Sequence, residues 1–172
     1  EQRALQPQAQ SNSMLARSSW PLPPPTTSLA PKTTTTDKVY AVDQGMAYAT
    51  SRANQQDIGK RLETAIYAEL MRRTANGRLE TVTSFTAPTQ AREKVDFLVG
   101  DALASEPYAL YQVTVDMTAE KTRRREVGSL EVAMVKTGIK DANIITLREA
   151  TQIKTEHGVI EVIPAWKWSL GL

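Results

Sequence analysis

The residues of this chain best placed to do chemistry lie on two strand-like runs. In an extended strand successive side chains alternate between faces, so in Lys94-Val95-Asp96-Phe97-Leu98-Val99 the apolar Val95, Phe97 and Val99 share one face, and Lys94 and Asp96 share the other. In the run over 108–117 the same rule groups Tyr111, Val113 and Val115, and sets Leu110, Gln112, Thr114 and Asp116 opposite them. Asp96 and Gln112 are therefore expected on adjacent strands, facing the same way. A half-buried carboxylate must be paired, hydrogen-bonded or metal-bound. Lys94, on the same predicted face, is the expected salt-bridge partner of Asp96. The chain has no cysteine and one histidine, His157, which excludes disulfides, thiolate chemistry and zinc sites built from several imidazoles. Any metal would have oxygen ligands.

These residues need elements to hold them. The segment 38–43 reads as a short strand, closed by a turn at Asp43-Gln44-Gly45. Asp57 caps a helix in which Ile58, Leu62, Ile66 and Leu70 recur every four residues, ending near Gly77. Glu63 falls within about 20° of Leu70 around that helix, at the border of the stripe and within reach of a cleft edge. Strands are expected over 79–85, 94–99 and 108–117. A second helix, capped by Thr118, turns Val127, Leu130, Ala133 and Met134 inward and ends at Gly138. Strands over 143–147 and 158–168 follow, with Pro164 placing the end of the last at a sheet edge. The expected fold is α/β, a mixed sheet flanked by helices.

The 172 residues suit one domain with polar extra length, not a large multidomain enzyme. Residues 1–36 hold six of the nine prolines and the threonine run 33–36, a composition that buries little apolar surface. They read as a flexible Pro/Thr-rich linker or tail before a domain over 37–172. Arg3, Arg17 and Lys32 against Glu1 account for the whole net charge of +2, so the domain is neutral and any grip on phosphates must come from local clusters. Lys121, Arg123, Arg124 and Arg125 are the main cluster and Arg72, Arg73 and Arg78 a second; either fits a phosphate contact or a solvated helix face. No apolar run approaches the roughly 18 residues of a membrane span, and the N-terminus lacks a signal-peptide pattern, so a cytoplasmic location is expected. Because the chain opens at Glu1, it is read as a piece of a longer one.

Several further motifs have bland readings. Gly59-Lys60 resembles a phosphate-loop ending, but Asn54 and Arg61 stand where glycine and serine or threonine belong, so it is a helix start. Glu126 is expected to face inward beside Arg123, and Glu69 to be paired within the first helix's stripe. His157 is expected in a surface turn. Trp166 and Trp168, on one face of the last strand, either stack bases or close the core.

Taken in order, Gly59 through Glu63, Glu93-Lys94-Val95-Asp96-Phe97, Tyr111-Gln112-Val113-Thr114 and Thr122 through Glu126 resemble the PD-(D/E)XK nuclease superfamily, whose core runs helix, three strands, helix, strand. With the segment 38–43 and the ending Ile163-Pro164-Ala165-Trp166, the chain is most similar to the uncharacterised C-terminal domain of bacterial and archaeal AAA-type ATPases, over about residues 38–170. The resemblance implies a restriction-endonuclease-like fold and an ATPase domain upstream. It implies nucleic acid, DNA first, as partner, and magnesium or manganese as cofactor. It makes Asp96 the metal aspartate and Glu63 the helix glutamate, with Gln112 where a second acid is expected and Thr114 where the catalytic lysine is expected. Asp96, Gln112 and Glu63 would then be the metal ligands. Lys94 would be a displaced catalytic lysine or only the partner of Asp96, and Lys121, Arg123, Arg124 and Arg125 would meet nucleic acid. A neutral amide brings no charge to a metal, and threonine cannot replace an ammonium. Two readings follow: a metal-dependent phosphodiesterase-type domain with a degenerate site, or a catalytically inactive module that binds DNA or protein.

Overall fold

The computed structural model describes residues 38, 40–41, 43–50, 57–74, 80–87, 93–101 and 103–172. The expected linker over 1–36 lies outside the described residues. The described residues among 38–43 belong to no strand, and the expected turn at 43–45 instead opens a short helix, α1 (Gln44–Thr50). Asp43 is the reason: its Oδ1 accepts the Met46 N–H at 3.0 Å, a helix cap that competes with a turn. The next helix, α2 (Ile58–Thr74), is capped as expected, with Asp57 Oδ1 accepting the Lys60 N–H at 2.8 Å. Leu62, Ile66 and Leu70 are buried.

Among the described residues six strands make one sheet: β1 (Glu80–Thr86), β2 (Lys94–Asp101), β3 (Glu106–Val113), β4 (Asp141–Thr146), β5 (Thr151–Lys154) and β6 (Val159–Pro164), in the order β1-β2-β3-β4-β6-β5. The first three form an antiparallel meander. Helix α3 (Glu120–Thr137) then carries the chain over to β4, which runs parallel to β3, as a crossover must. β6 lies parallel to β4 and antiparallel to the short edge strand β5. Helices cover both faces. Leu130 and Met134 of α3 pack with Val95, Leu98, Leu110, Ile144 and Ile160 on one side, and Leu62, Ile66 and Leu70 of α2 pack with Phe97, Val99, Ile145 and Trp168 on the other.

Strand β2 departs from simple alternation. Its pairing with β1 steps from Thr83↔Leu98 to Phe85↔Val95, so β2 carries one extra residue there, a bulge that holds Asp96. Val95 consequently packs on the α3 side with Leu98, and not with Phe97 and Val99 as the period-two reading expected.

The loop after β3 and the C-terminal segment also differ from expectation. β3 ends at Val113, four residues early, and the chain continues beside β4 through single bonds from Thr114 N–H to the Ile145 carbonyl at 3.0 Å and from Leu147 N–H to the Val115 carbonyl at 3.1 Å. Thr118 does not cap α3. Its hydroxyl and N–H both donate to Asp116 Oδ1, and Ala119 holds the cap position without a side-chain bond. At the other end Gly138 closes α3 as expected, left-handed with φ 77°, its N–H on the Met134 carbonyl at 2.8 Å. Past β6 the chain turns into a further helix, α4 (Ala165–Leu170), so Trp166 and Trp168 are on no strand. Pro164, which lacks an N–H to extend a ladder, ends β6 at the cap of α4, and β6 is interior, the edges being β1 and β5. Two residues apart on a helix, the tryptophans point opposite ways: Trp168 is buried, Trp166 is 57% exposed.

Gly158, in the β5–β6 turn, has φ 152°, and a Cβ there would stand 2.0 Å from the Lys140 carbonyl oxygen. Around Gly138 the space is open. Gly158→Ala should therefore lower stability by about 2–4 kcal/mol in urea unfolding and Gly138→Ala by only about 1; the reverse ranking would contradict this packing.

Candidate functional site

The bulge of β2, the end of β3, the start of α2 and the first turns of α3 surround a cleft of about 730 Å³. Asp96 is its centre. Its Oδ1 accepts from Lys38 Nζ at 3.0 Å and its Oδ2 from the Val113 N–H at 3.1 Å. The Asp96 N–H donates to Gln112 Oε1 at 3.1 Å, and Gln112 Nε2 donates to Glu126 Oε2 at 2.6 Å. Arg125 donates to the other oxygen of Glu126, which is only 2% exposed. Toward α2, Lys38 Nζ also donates to Glu63 Oε1, which accepts from the Tyr40 hydroxyl at 2.8 Å. A continuous polar chain thus runs from Tyr40 through Glu63, Lys38, Asp96, Gln112 and Glu126 to Arg125. It crosses the sheet where the β2–β3 ladder stops at Phe97↔Tyr111, so side chains take up the N–H groups of Asp96 and Val113 that the ladder leaves.

Aromatic packing seats the upstream segment. The Tyr40 ring stacks on Tyr67 of α2 at 4.1 Å between centroids and lies 5.9 Å from Phe97 of β2. Burial pushes the Asp96 carboxyl up; the Lys38 ammonium opposes that shift and the Glu63 carboxylate adds to it. For Lys38 burial acts downward, but Asp96 and Glu63 outweigh it and its pKa rises, holding the ammonium charged. Burial, then Glu63, pushes the Tyr40 hydroxyl far up, so it serves as a donor.

Five expected site residues, Glu63, Lys94, Asp96, Gln112 and Thr114, all line this cleft, and Asp96 and Gln112 lie side by side on neighbouring strands. They do not face the same way as expected: Gln112 bonds Glu126 of α3 on one side of the sheet, and Asp96, displaced by the bulge, bonds Lys38 beside α2 on the other. The expected Lys94–Asp96 bridge is not made. The bulge after Val95 breaks the alternation that would have put Lys94 and Asp96 on one face, and Lys38 is the partner instead. Thr114 donates to the Asp116 carbonyl at 3.1 Å.

On α3, Lys121 and Arg123 are exposed and Arg124 pairs with Glu120 at 2.8 Å. Arg123 does not face inward as expected: its angle matches Leu130, but it sits about 10 Å farther along the axis, in the first turn of α3. Glu126 is inward as expected, with Gln112 and Arg125 as its partners. Glu69 pairs with Arg72 and Arg73, and Arg73 in turn donates to the Trp168 carbonyl at 2.7 Å and lies 4.1 Å over its ring. Trp168 therefore closes the core. His157 is half-buried in the 155–158 turn, outside the cleft, and Arg78 lies outside the described residues.

The sequence reading missed Lys38 and Tyr40 as site residues. Their one local signal is a spacing of two in a segment expected as a strand, which would send both side chains to one side. Their partners are 25 and 23 residues away on α2 and, for Lys38, 58 residues away on β2.

Magnesium or manganese does not fit this arrangement. Both cleft carboxylates of the expected ligand set are spent on Lys38, and the Gln112 amide is spent at both ends. Among the described residues no three histidine, cysteine, aspartate or glutamate side chains are placed to hold a metal ion.

No family model matches the chain, and no solved structure matches it significantly. Among curated proteins, the uncharacterized protein MJ1544 of Methanocaldococcus jannaschii is 30% identical over 145 residues, 81% of this chain and 30% of that protein. The chain thus spans less than a third of the length of that relative. No helix among the described residues is long and apolar enough to cross a membrane.

Gln112 is the residue whose loss strands most. Gln112→Leu would leave the buried Oε2 of Glu126 and the Asp96 N–H each without a partner, and should cost about 2–4 kcal/mol in urea unfolding; a neutral outcome would mean the polar chain does not hold the sheet end. Elsewhere, Arg72 and Arg73 hold the Glu69 carboxyl at about 2 against an ordinary 4.5. A depressed carboxylate stabilises the fold above its unfolded pKa and loses that contribution as pH falls through its folded one. The wild type should lose stability relative to Glu69→Gln between pH 4.5 and about 2, and parallel acid unfolding curves would refute the pairing.

Proposed function

We propose that this chain is a restriction-endonuclease-like domain that binds nucleic acid, DNA first, along its cleft without cleaving it, within a longer cytoplasmic protein that carries an ATPase. The element order supports the fold: α2, the antiparallel β1–β3, the crossover α3 and a parallel β4 repeat the helix, three strands, helix, strand sequence of that superfamily. The observation that carries the absence of cleavage is Gln112. At the strand position where a second acid would bring charge there is an amide, bound through Oε1 to the Asp96 backbone and through Nε2 to Glu126. Thr114, at the position where the resemblance places the lysine, brings no ammonium to a water at the scissile phosphate.

Binding rests on charge at the mouth. Lys38 is shared by Glu63 and Asp96 and Arg125 pairs with Glu126, so two cations offset most of the charge of three carboxylates, while Lys94 on the cleft wall and Lys121 and Arg123 on the exposed first turn of α3 remain for phosphates. Binding should be read by fluorescence anisotropy with labelled double-stranded DNA, single-stranded DNA and RNA. Affinity should fall steeply between about 50 and 200 mM salt, and the triple change Lys94→Ala, Lys121→Ala, Arg123→Ala should weaken it about tenfold without altering the fold. Absence of salt-dependent binding to all three ligands refutes the proposal. Magnesium- or manganese-dependent nicking that Asp96→Asn abolishes would establish the catalytic reading in its place.

A further inference from the structure

We propose that Lys38 is a built-in substitute for a divalent cation, and that removing its charge uncovers a metal site between Glu63 and Asp96. Two carboxylates from different elements, one on α2 and one in the β2 bulge, converge on a single point, and the Lys38 ammonium occupies it, bonded to Glu63 Oε1 and 3.0 Å from Asp96 Oδ1. An ammonium is a compact point charge with no directional demand beyond its three protons, so it can take a place shaped by hard oxygens. One or two carboxylates with water completing the shell are what magnesium and manganese ask of a protein. The disagreement between the fold, whose resemblance implies a metal, and the spent carboxylates is thereby accounted for: the point that would take a cation already has one.

The tether decides the competition. Lys38 is held over the pair by its neighbour Tyr40, which stacks between α2 and β2 and donates to the same Glu63 oxygen. A dissolved cation would have to displace a charge that cannot diffuse away, and it would meet two carboxylates already offset by one ammonium. The Tyr40 contacts do not involve the Lys38 charge, so the segment keeps its place when that charge is removed. Lys38→Met, whose unbranched apolar side chain stops one atom short of the Nζ position, leaves Glu63 and Asp96 converging with no cation between them.

The test is a calorimetric titration of manganese alone into the full chain, as wild type, as Lys38→Met, and as Lys38→Met combined with Asp96→Asn or with Glu63→Gln, each checked for folding by circular dichroism. Lys38→Met should take up one manganese at least about tenfold more tightly than wild type, and either second change should remove the gain. Equal affinities in wild type and Lys38→Met, or a gain that survives both second changes, overturn the proposal. If Lys38→Met alone is unfolded, manganese should restore its fold where sodium chloride of equal ionic strength does not, and failure to restore it also overturns the proposal. No arm contains nucleic acid, so loss of the proposed binding function would leave this result standing, and the reverse holds equally.

Discussion

Strand β2 has one residue more than β1 can pair, and the polar chemistry of this protein is built on that mismatch. Beside that bulge the β2–β3 ladder stops at Phe97↔Tyr111 and leaves backbone donors that must be satisfied in a buried place. Asp96 sits at the interruption. Its carboxylate takes the Val113 N–H, Gln112 takes its own N–H, and each side chain then reaches a different helix. The cleft is the space left where β2 and β3 stop pairing, and its charges are there because the interruption needs partners.

The same constraint orders the rest of the molecule around the sheet end. Because Gln112 is pinned to Asp96, Glu126 is drawn into the core from α3, where a carboxylate 2% exposed survives only with donors on both oxygens. Because Asp96 is buried next to Glu63, a cation must lie between them, and the segment around Lys38 is fastened across α2 and β2 to supply it. Chain order plays no part in this. Residues 38, 63, 96, 112 and 126 come from five separate segments and meet because two strands part.

Helix α4 is fastened by the opposite logic, in an apolar setting. Trp168 fills the α2 side of the core, and Arg73 both lies on its ring and bonds its carbonyl, so one α2 side chain holds the end of the chain while Glu69 orients it. Here the charges serve the packing. At the cleft the packing of Tyr40 on Tyr67 and Phe97 serves the charges.

Period, capping residues and composition were enough to read α2 with its Asp57 cap, the three strands β1 to β3, α3 with its end at Gly138, and Asp96 and Gln112 as neighbours on adjacent strands, because each depends on residues a few positions apart or on an alternation that holds along most of a strand; that Glu63 joins them in one cleft was implied by the resemblance. What tertiary structure decided lies where that regularity fails or where reach matters. The bulge shifted Val95 to the other face and unmade the Lys94 pairing; Asp116 drew Thr118 away from its cap; Pro164 started a helix and separated Trp166 from Trp168. The partner of Asp96 came from residue 38, 58 positions upstream, because the ammonium a buried carboxylate takes is chosen by which chain passes within a few ångströms of it, and no local spacing encodes that distance.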